Sequence, residues 1–369
     1  MTHQDFINAD VNVLNVFNLL DYDQNFDLLV EQLTAVKKDQ YTPSDKIIIL
    51  HNDTEYFYYG NKLGFTMHNL LTCWRDLDIP YHVMVVYTNH SDLDAAIDPF
   101  IVHQRDRPLI IPTLVNNHSW NGVLAVPTFI ASKKISHSAF CLLGVERQPR
   151  TKFFQYLVKN NLFDYIKVNY KSKFHKKLRS NSVGTKHLHN LVYPSKSLSN
   201  MIYTSPHRIN ETCFSQSQYN DIIDLNSFRD YPRSDLEGDS SNFYNDFFLE
   251  VVLETVFDYP HVFISEKTLK PLLFKTPFVL FSAKGTLRYL RKHGFKTFDN
   301  FWDESYDNEL DPQLRFLKCC NVVQSIITKP ISELVDMYQA MTPILEHNRA
   351  RLLEYVETEY KPLYNKINL

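Results

Sequence analysis

At 369 residues the chain is too long for a typical single domain and suits two of ordinary size. Hydrophobic residues make up 44% and charged residues 22%, so a sizeable core can form throughout, while only 8 Gly exclude a Gly-rich linker or a collagen-like part. A formal net charge of -3 gives no global pull toward nucleic acid or membrane, so any such contact has to come from a local patch.

The opening MTHQDFINADVNVLNVF lacks a basic start followed by an apolar core, so no signal peptide is expected. No run of about 18 apolar residues occurs, and no membrane span is expected. Lys46–Leu50 (KIIIL) fits a buried parallel strand, and it ends in the polar cluster His51-Asn52-Asp53-Thr54-Glu55. Leu63–Leu77 carries apolar residues at helical spacing. Tyr81–Tyr87 is a second strand, Asp92–Ile101 a helix, and Pro108–Ile111 a third strand ending at Pro112. The pattern restarts at Ser138: strand Ala139–Leu143, amphipathic helix Lys152–Asn161, strand Ile166–Tyr170. Lys171–Leu191 is basic with little periodicity, and 194–238 is polar and punctuated by Pro, Asn and Ser, as a long connection would be. Phe248–Phe257 and Phe278–Phe281 read as strands, Thr268–Phe274 as a short helix, and Lys284–His293 as a helix ended by Gly294. Ile331–Tyr360 reads as one or two long helices. Strands alternating with helices predict α/β architecture with parallel sheets. The expected domains are 1–137, 138–330, and terminal helices 331–369 that cross back to the first domain.

The five cysteines (Cys73, Cys141, Cys213, Cys319, Cys320) match no zinc spacing, which suits a reduced, cytoplasmic protein. His137, His175, His187 and His189 fit no ligand pattern either, and no metal is expected.

Glu254, Glu266 and Lys267 form the first candidate cluster. An ionised Glu254 in an apolar strand is costly unless paired. Ser265 is a plausible N-cap for the helix that Glu266-Lys267 opens. Lys267 could meet a diphosphate there while a carboxylate accepts sugar hydroxyls; the plainer reading is a surface ion pair beside a salt-bridged Glu. Arg147, Arg150 and Lys152 form the second cluster, after Gly144, which lets backbone approach a ligand. They follow a strand and open a helix, where cations oppose the macrodipole unless an anion binds; a solvated helix start is the alternative. Asp53 and Glu55 lie at the strand end where a general base would face a cleft, and are also ordinary turn residues. The run 171–186 includes Lys173, Lys176, Lys177 and Arg179, which could touch phosphates of an acceptor or form a solvated loop.

The segment FLEVVLETVFDYPHVFISEKTLKPLLFKTPFVLF, 248–281, resembles the donor-binding half of fucosyltransferase-like glycosyltransferases of the GT-B fold. Glu254 matches the strand Glu, Glu266-Lys267 the Glu-Lys pair, Pro277-Phe278 the strand entry, and Arg150 the phosphate-binding Arg. Trp302–Asp307 resembles glycosyltransferase-like proteins of bacteriophages. The resemblance spans about residues 138–310; Leu253-Glu254-Thr255 stands where the family has Phe-Glu-Asn, and Lys270-Pro271 where it has Arg-Asn. It implies two Rossmann-like domains facing each other across a cleft, and inverting, metal-independent transfer. The donor would be a UDP- or GDP-linked sugar, a co-substrate with no further cofactor. Gly144, Arg147, Arg150, Lys152, Glu254, Ser265, Glu266 and Lys267 would hold it, with Asp53 or Glu55 as base. The acceptor would be a glycan, a small molecule, or a hydroxymethylated base in phage DNA. A non-catalytic nucleotide- or sugar-binding protein and a structural interaction protein are the rival readings.

Overall fold

The computed structural model describes residues 3–19, 26–51, 58–59, 62–63, 65–88, 107–114, 133–145, 148–171, 244–254, 257–258 and 262–366. They form a mixed α/β protein with two four-stranded parallel sheets. The chain divides into two compact units, one of residues 1–120, 260–264 and 350–369, the other of 121–259 and 265–349.

In the first unit the sheet order is β1-β2-β5-β6: β1 is Asn12–Asn18, β2 Asp45–His51, β5 Met84–Thr88 and β6 Leu109–Pro112. A two-residue ladder, β3 (Tyr58–Tyr59) with β4 (Lys62–Leu63), lies between β2 and β5 in sequence. Every residue of β2 and β5 is buried, as their β-branched runs require in a sheet covered on both faces. One face packs Ile48, Leu50, Val85, Tyr87 and Ile111 against Phe6 of helix α1 (His3–Asn8). Helices α2 (Phe26–Ala35) and α3 (Phe65–Asp76) are the crossovers between parallel neighbours, and they bury Leu29, Leu33, Leu70, Leu71 and Trp74.

In the second unit the order is β8-β7-β9-β10: β7 is His137–Val145, β8 Ile166–Lys171, β9 Phe247–Leu253 and β10 Phe278–Phe281. Helix α4 (Gln148–Lys159) joins β7 to β8, and α5 (Glu266–Leu273) joins β9 to β10. Helices α6 (Thr286–Lys292), α7 (Pro312–Ile327) and α8 (Ile331–Tyr355) follow. A π-helical turn, Val356–Tyr360, leads into α9 (Lys361–Lys366). Within the first unit, Lys366 Nζ donates to the carbonyls of Ile7 and Ala9 at 3.0 and 2.7 Å and lies over the Phe6 ring, tying α9 to α1.

Several expected boundaries shift for local reasons. Tyr81–Val83 is a 3-10 turn entered from extended Pro80, so the strand starts only at Met84. The strand expected to reach Phe257 stops at Leu253. Helix α4 begins at Gln148 because Pro149 suits a first turn, and it ends near Asn161, whose φ is 53°. Helix α6 is shorter than Lys284–His293: Gly285 at its start adopts φ 83°, and Gly294 past its end φ 85°. The helix expected at Asp92–Ile101 and the segments 172–191 and 194–238 lie outside the described residues. Among the described residues, no helix is long and apolar enough to cross a membrane.

Candidate functional site

The order β8-β7-β9-β10 contains a reversal. From β7 the chain moves outward to β8; from β9 it moves outward the other way, to β10. Right-handed crossovers running in opposite directions put α4 and α5 on opposite faces of the sheet. The carboxyl ends of β7 and β9 are then the topological switch point, the place where open parallel sheets hold ligands in a crevice. Among the described candidate residues, Gly144, Arg150 and Lys152 lie at or just after the end of β7, and Glu254, Ser265, Glu266 and Lys267 follow β9. Gly144 lies one residue from the end of β7, at a register shift against β8 between Leu142 and Gly144. The shift leaves Leu143 out of the register, and pairing resumes at Gly144–Tyr170 and Val145–Lys171, as at a bulge that bends a strand.

Glu254 follows the last residue of β9 and is 2% exposed. Its Oε1 accepts from the Ser265 backbone N–H at 3.1 Å and the Thr268 hydroxyl at 2.6 Å; its Oε2 accepts from the Ser265 hydroxyl at 2.6 Å. The carboxylate therefore sits on the N-terminus of α5, answering groups that the helix itself leaves unsatisfied and countering its positive dipole end. Ser265 is the N-cap: its Oγ accepts from the Lys267 backbone N–H at 3.3 Å. The burial of Glu254 and Ser265 makes them the frame of the site rather than its open surface.

Glu266 and Lys267 face outward from that frame. Their side chains are 39% and 24% exposed, with Lys267 Nζ 2.9 Å from Glu266 Oε1 and 3.2 Å from Ser265 Oγ. Burial works against the Glu266 carboxylate, but the Lys267 ammonium and its hydrogen bond outweigh it, and the pKa falls below the usual value. This edge thus offers an ionised acceptor beside a cation, suited to a ligand that carries both hydroxyls and phosphate.

On the β7 side, Arg150 lies in the first turn of α4 and is 5% exposed; its charge is felt at Cys141 of β7, whose thiol is pushed well up, chiefly by burial. Lys152, in the same turn region, is half-buried. Arg147, Asp53, Glu55, Lys173, Lys176, Lys177 and Arg179 lie outside the described residues.

Other polar residues have structural work. Asp307 is buried and accepts from the backbone N–H groups of Leu287 and Arg288 at 2.9 and 3.0 Å, capping α6. Glu304 accepts from the Phe298 N–H at 2.8 Å and pairs with Arg291. Of the WDESYD stretch that carried part of the resemblance, Asp307 caps α6 and Glu304 ties its last turn to Phe298. In the first unit His51 ends β2; its Nδ1 lies 2.8 Å from Thr88 Oγ1, and burial lowers its pKa to about 3. No model of a known protein family matches the chain, and no curated protein matches it.

Proposed function

We propose that the chain is a glycosyltransferase of GT-B type, with two Rossmann-like domains, and that the β7/β9 crevice takes a nucleoside diphosphate sugar. The observation that carries the reading is the sheet reversal itself. Topology suggests a ligand position at the carboxyl ends of β7 and β9, and four residues singled out from the sequence, Arg150, Lys152, Glu266 and Lys267, lie in or just past the first turns of the helices that follow those ends. Lys267, Lys152 and Arg150 supply positive charge for the diphosphate, and Glu266 accepts from hydroxyls. Glu254 and Ser265 serve this site by fixing α5, whose first turn carries Glu266 and Lys267.

In the reaction, a base removes the acceptor hydroxyl proton as its oxygen bonds to the anomeric carbon. The bond from that carbon to the diphosphate oxygen breaks, and the nucleoside diphosphate leaves with both electrons. The cations stabilise the negative charge that grows on the leaving group. Asp53 and Glu55, just beyond the carboxyl end of β2, are the candidate bases. The test is release of nucleoside diphosphate from sugar donors, with glycan or hydroxymethylated DNA as acceptor. Asp53→Asn or Glu55→Gln is expected to abolish turnover while leaving donor binding intact. Unchanged turnover in both variants would remove the assigned base, and binding without turnover for any acceptor would favour a binding protein.

A further inference from the structure

The amino ends of β7 and β8 lie at the opposite end of the second sheet from the carboxyl ends that lead to α4 and α5. They border a cavity that the proposed site does not use. Its volume is about 370 Å³, at the small end of the range of ligand pockets. Three short segments line it: the start of β7 with the residue before it, the turn into β8, and the turn between α7 and α8. Two of these segments turn for evident local reasons. The Tyr165 N–H donates to the Leu162 carbonyl at 3.1 Å, so a turn precedes β8. Thr328 closes α7 and Pro330 directly precedes α8, so one helix stops there instead of running on into the next.

The polar groups of the lining can hydrogen-bond in both directions. Ser138 is only 6% exposed, and its hydroxyl has no hydrogen-bond partner among the described residues. A buried hydroxyl left in that state is costly, and a ligand hydroxyl would satisfy it. Beside it, exposed His137 has its Nδ1 2.9 Å from Ser136 Oγ and its ring against Phe247, 5.1 Å between centroids. These contacts hold the imidazole and leave Nε2 to a ligand, as donor or acceptor according to the tautomer. Asp164 is an acceptor and Lys167 a donor, and neither has an ion-pair partner among the described residues. Lys329, also on the lining, pairs with Glu333. The formal charge around the cavity therefore cancels, one ammonium against one carboxylate, twice. Such a site holds an anion poorly and suits a neutral ligand rich in hydroxyls. Large apolar side chains complete the lining, with Tyr165 42% and Ile331 36% exposed.

We propose that this cavity is a saccharide-binding site that takes one or two sugar rings. A sugar ring carries hydroxyls around its edge and patches of C–H on its faces, which is the same mixture that the lining presents. Its hydroxyls accept from Lys167 and Ser138 and donate to Asp164, and a C–H face rests against the Tyr165 ring. The site stands apart from the β7/β9 switch point and does not depend on the donor assignment. Saccharide binding here and nucleotide binding there are therefore separable by mutation.

The experiment is saturation-transfer NMR and calorimetric titration of the full chain. The probes are glucose, galactose, mannose, N-acetylglucosamine, maltose and lactose, with inorganic phosphate as the anionic control. Saturable binding of at least one sugar is expected, weakened at least about fivefold by Tyr165→Ala and by Asp164→Ala and unchanged by Lys267→Ala. Tyr165 and Asp164 are both exposed, so these variants are expected to fold as wild type does. Absence of binding by every sugar, affinity unchanged in both cavity variants, or loss in Lys267→Ala alone would overturn the proposal. Phosphate binding that Lys167→Met abolishes, with no sugar bound, would overturn it as well and make the cavity an anion site.

Discussion

Removing the Glu254 carboxylate is the perturbation that most sharply separates frame from ligand contact. Both of its oxygens are engaged, at 2.6, 3.1 and 2.6 Å, by the Ser265 hydroxyl, the Ser265 amide and the Thr268 hydroxyl. Hydrogen bonds to a charged group contribute roughly 1.5–3 kcal/mol each, but three bonds to one carboxylate are not additive. Deleting one partner of a buried charged network costs about 3–5 kcal/mol. Glu254→Ala is therefore expected to destabilise the second unit by about 4 kcal/mol, since it strands three buried donors at the start of α5. Glu254→Gln keeps the volume but turns one oxygen into a donor facing donors, and about 2 kcal/mol is expected. Denaturant unfolding by circular dichroism gives the global loss, and hydrogen exchange in 265–274 gives the local one. The Ser265–Thr268 amides should lose protection first. A Glu254→Gln variant with wild-type stability and wild-type exchange, yet no ligand binding, would refute the framing role and make Glu254 a ligand contact.

Asp307→Ala should cost about 1–2 kcal/mol by uncapping α6, measured by denaturation, with added exchange at Leu287 and Arg288 as its local mark. Gly285→Ala should also destabilise by about 1–2 kcal/mol, because φ is 83° there and an added Cβ would meet Arg288 Nη2 at 2.9 Å; a neutral result would show that the turn relaxes. His51 has a folded pKa of about 3 against an ordinary 6.5, so its contribution is full above 6.5 and is lost as pH falls toward 3. Stability measured across that range should slope less steeply in His51→Asn, and an unchanged acid limb would show that His51 is not its source.

The second unit was legible in outline because its strands are short, apolar and punctuated. FVLF between Pro277 and Ser282 admits little but a buried strand, and β10 has those bounds. Ser265 as N-cap was legible for the same local reason, a hydroxyl before an amphipathic turn. Strand β1 was not read, since NVLNVFN spreads three Asn through its apolar residues and Asn is depleted in strands. Helix α7 went unread although Asp311-Pro312 signals its start, with Asp311 Oδ1 accepting from the Gln313 and Leu314 amides. The partners of Glu254 could not be read, because strand register and the path from β9 to α5 decide them. The switch point has the same origin: strand order is a long-range property, and no window of sequence contains it.

The most direct measurement is calorimetric titration of the full chain with UDP, GDP and CMP and with their sugar conjugates, in wild type and Lys267→Ala. Lys267 is partly exposed, so its removal should leave stability within about 0.5 kcal/mol of wild type. The account predicts saturable binding of one nucleoside diphosphate, weakened at least about tenfold in the variant, which corresponds to about 1.4 kcal/mol. Absence of binding by every nucleotide, or binding that Lys267→Ala leaves untouched, would contradict the assignment of the β7/β9 crevice as a donor site.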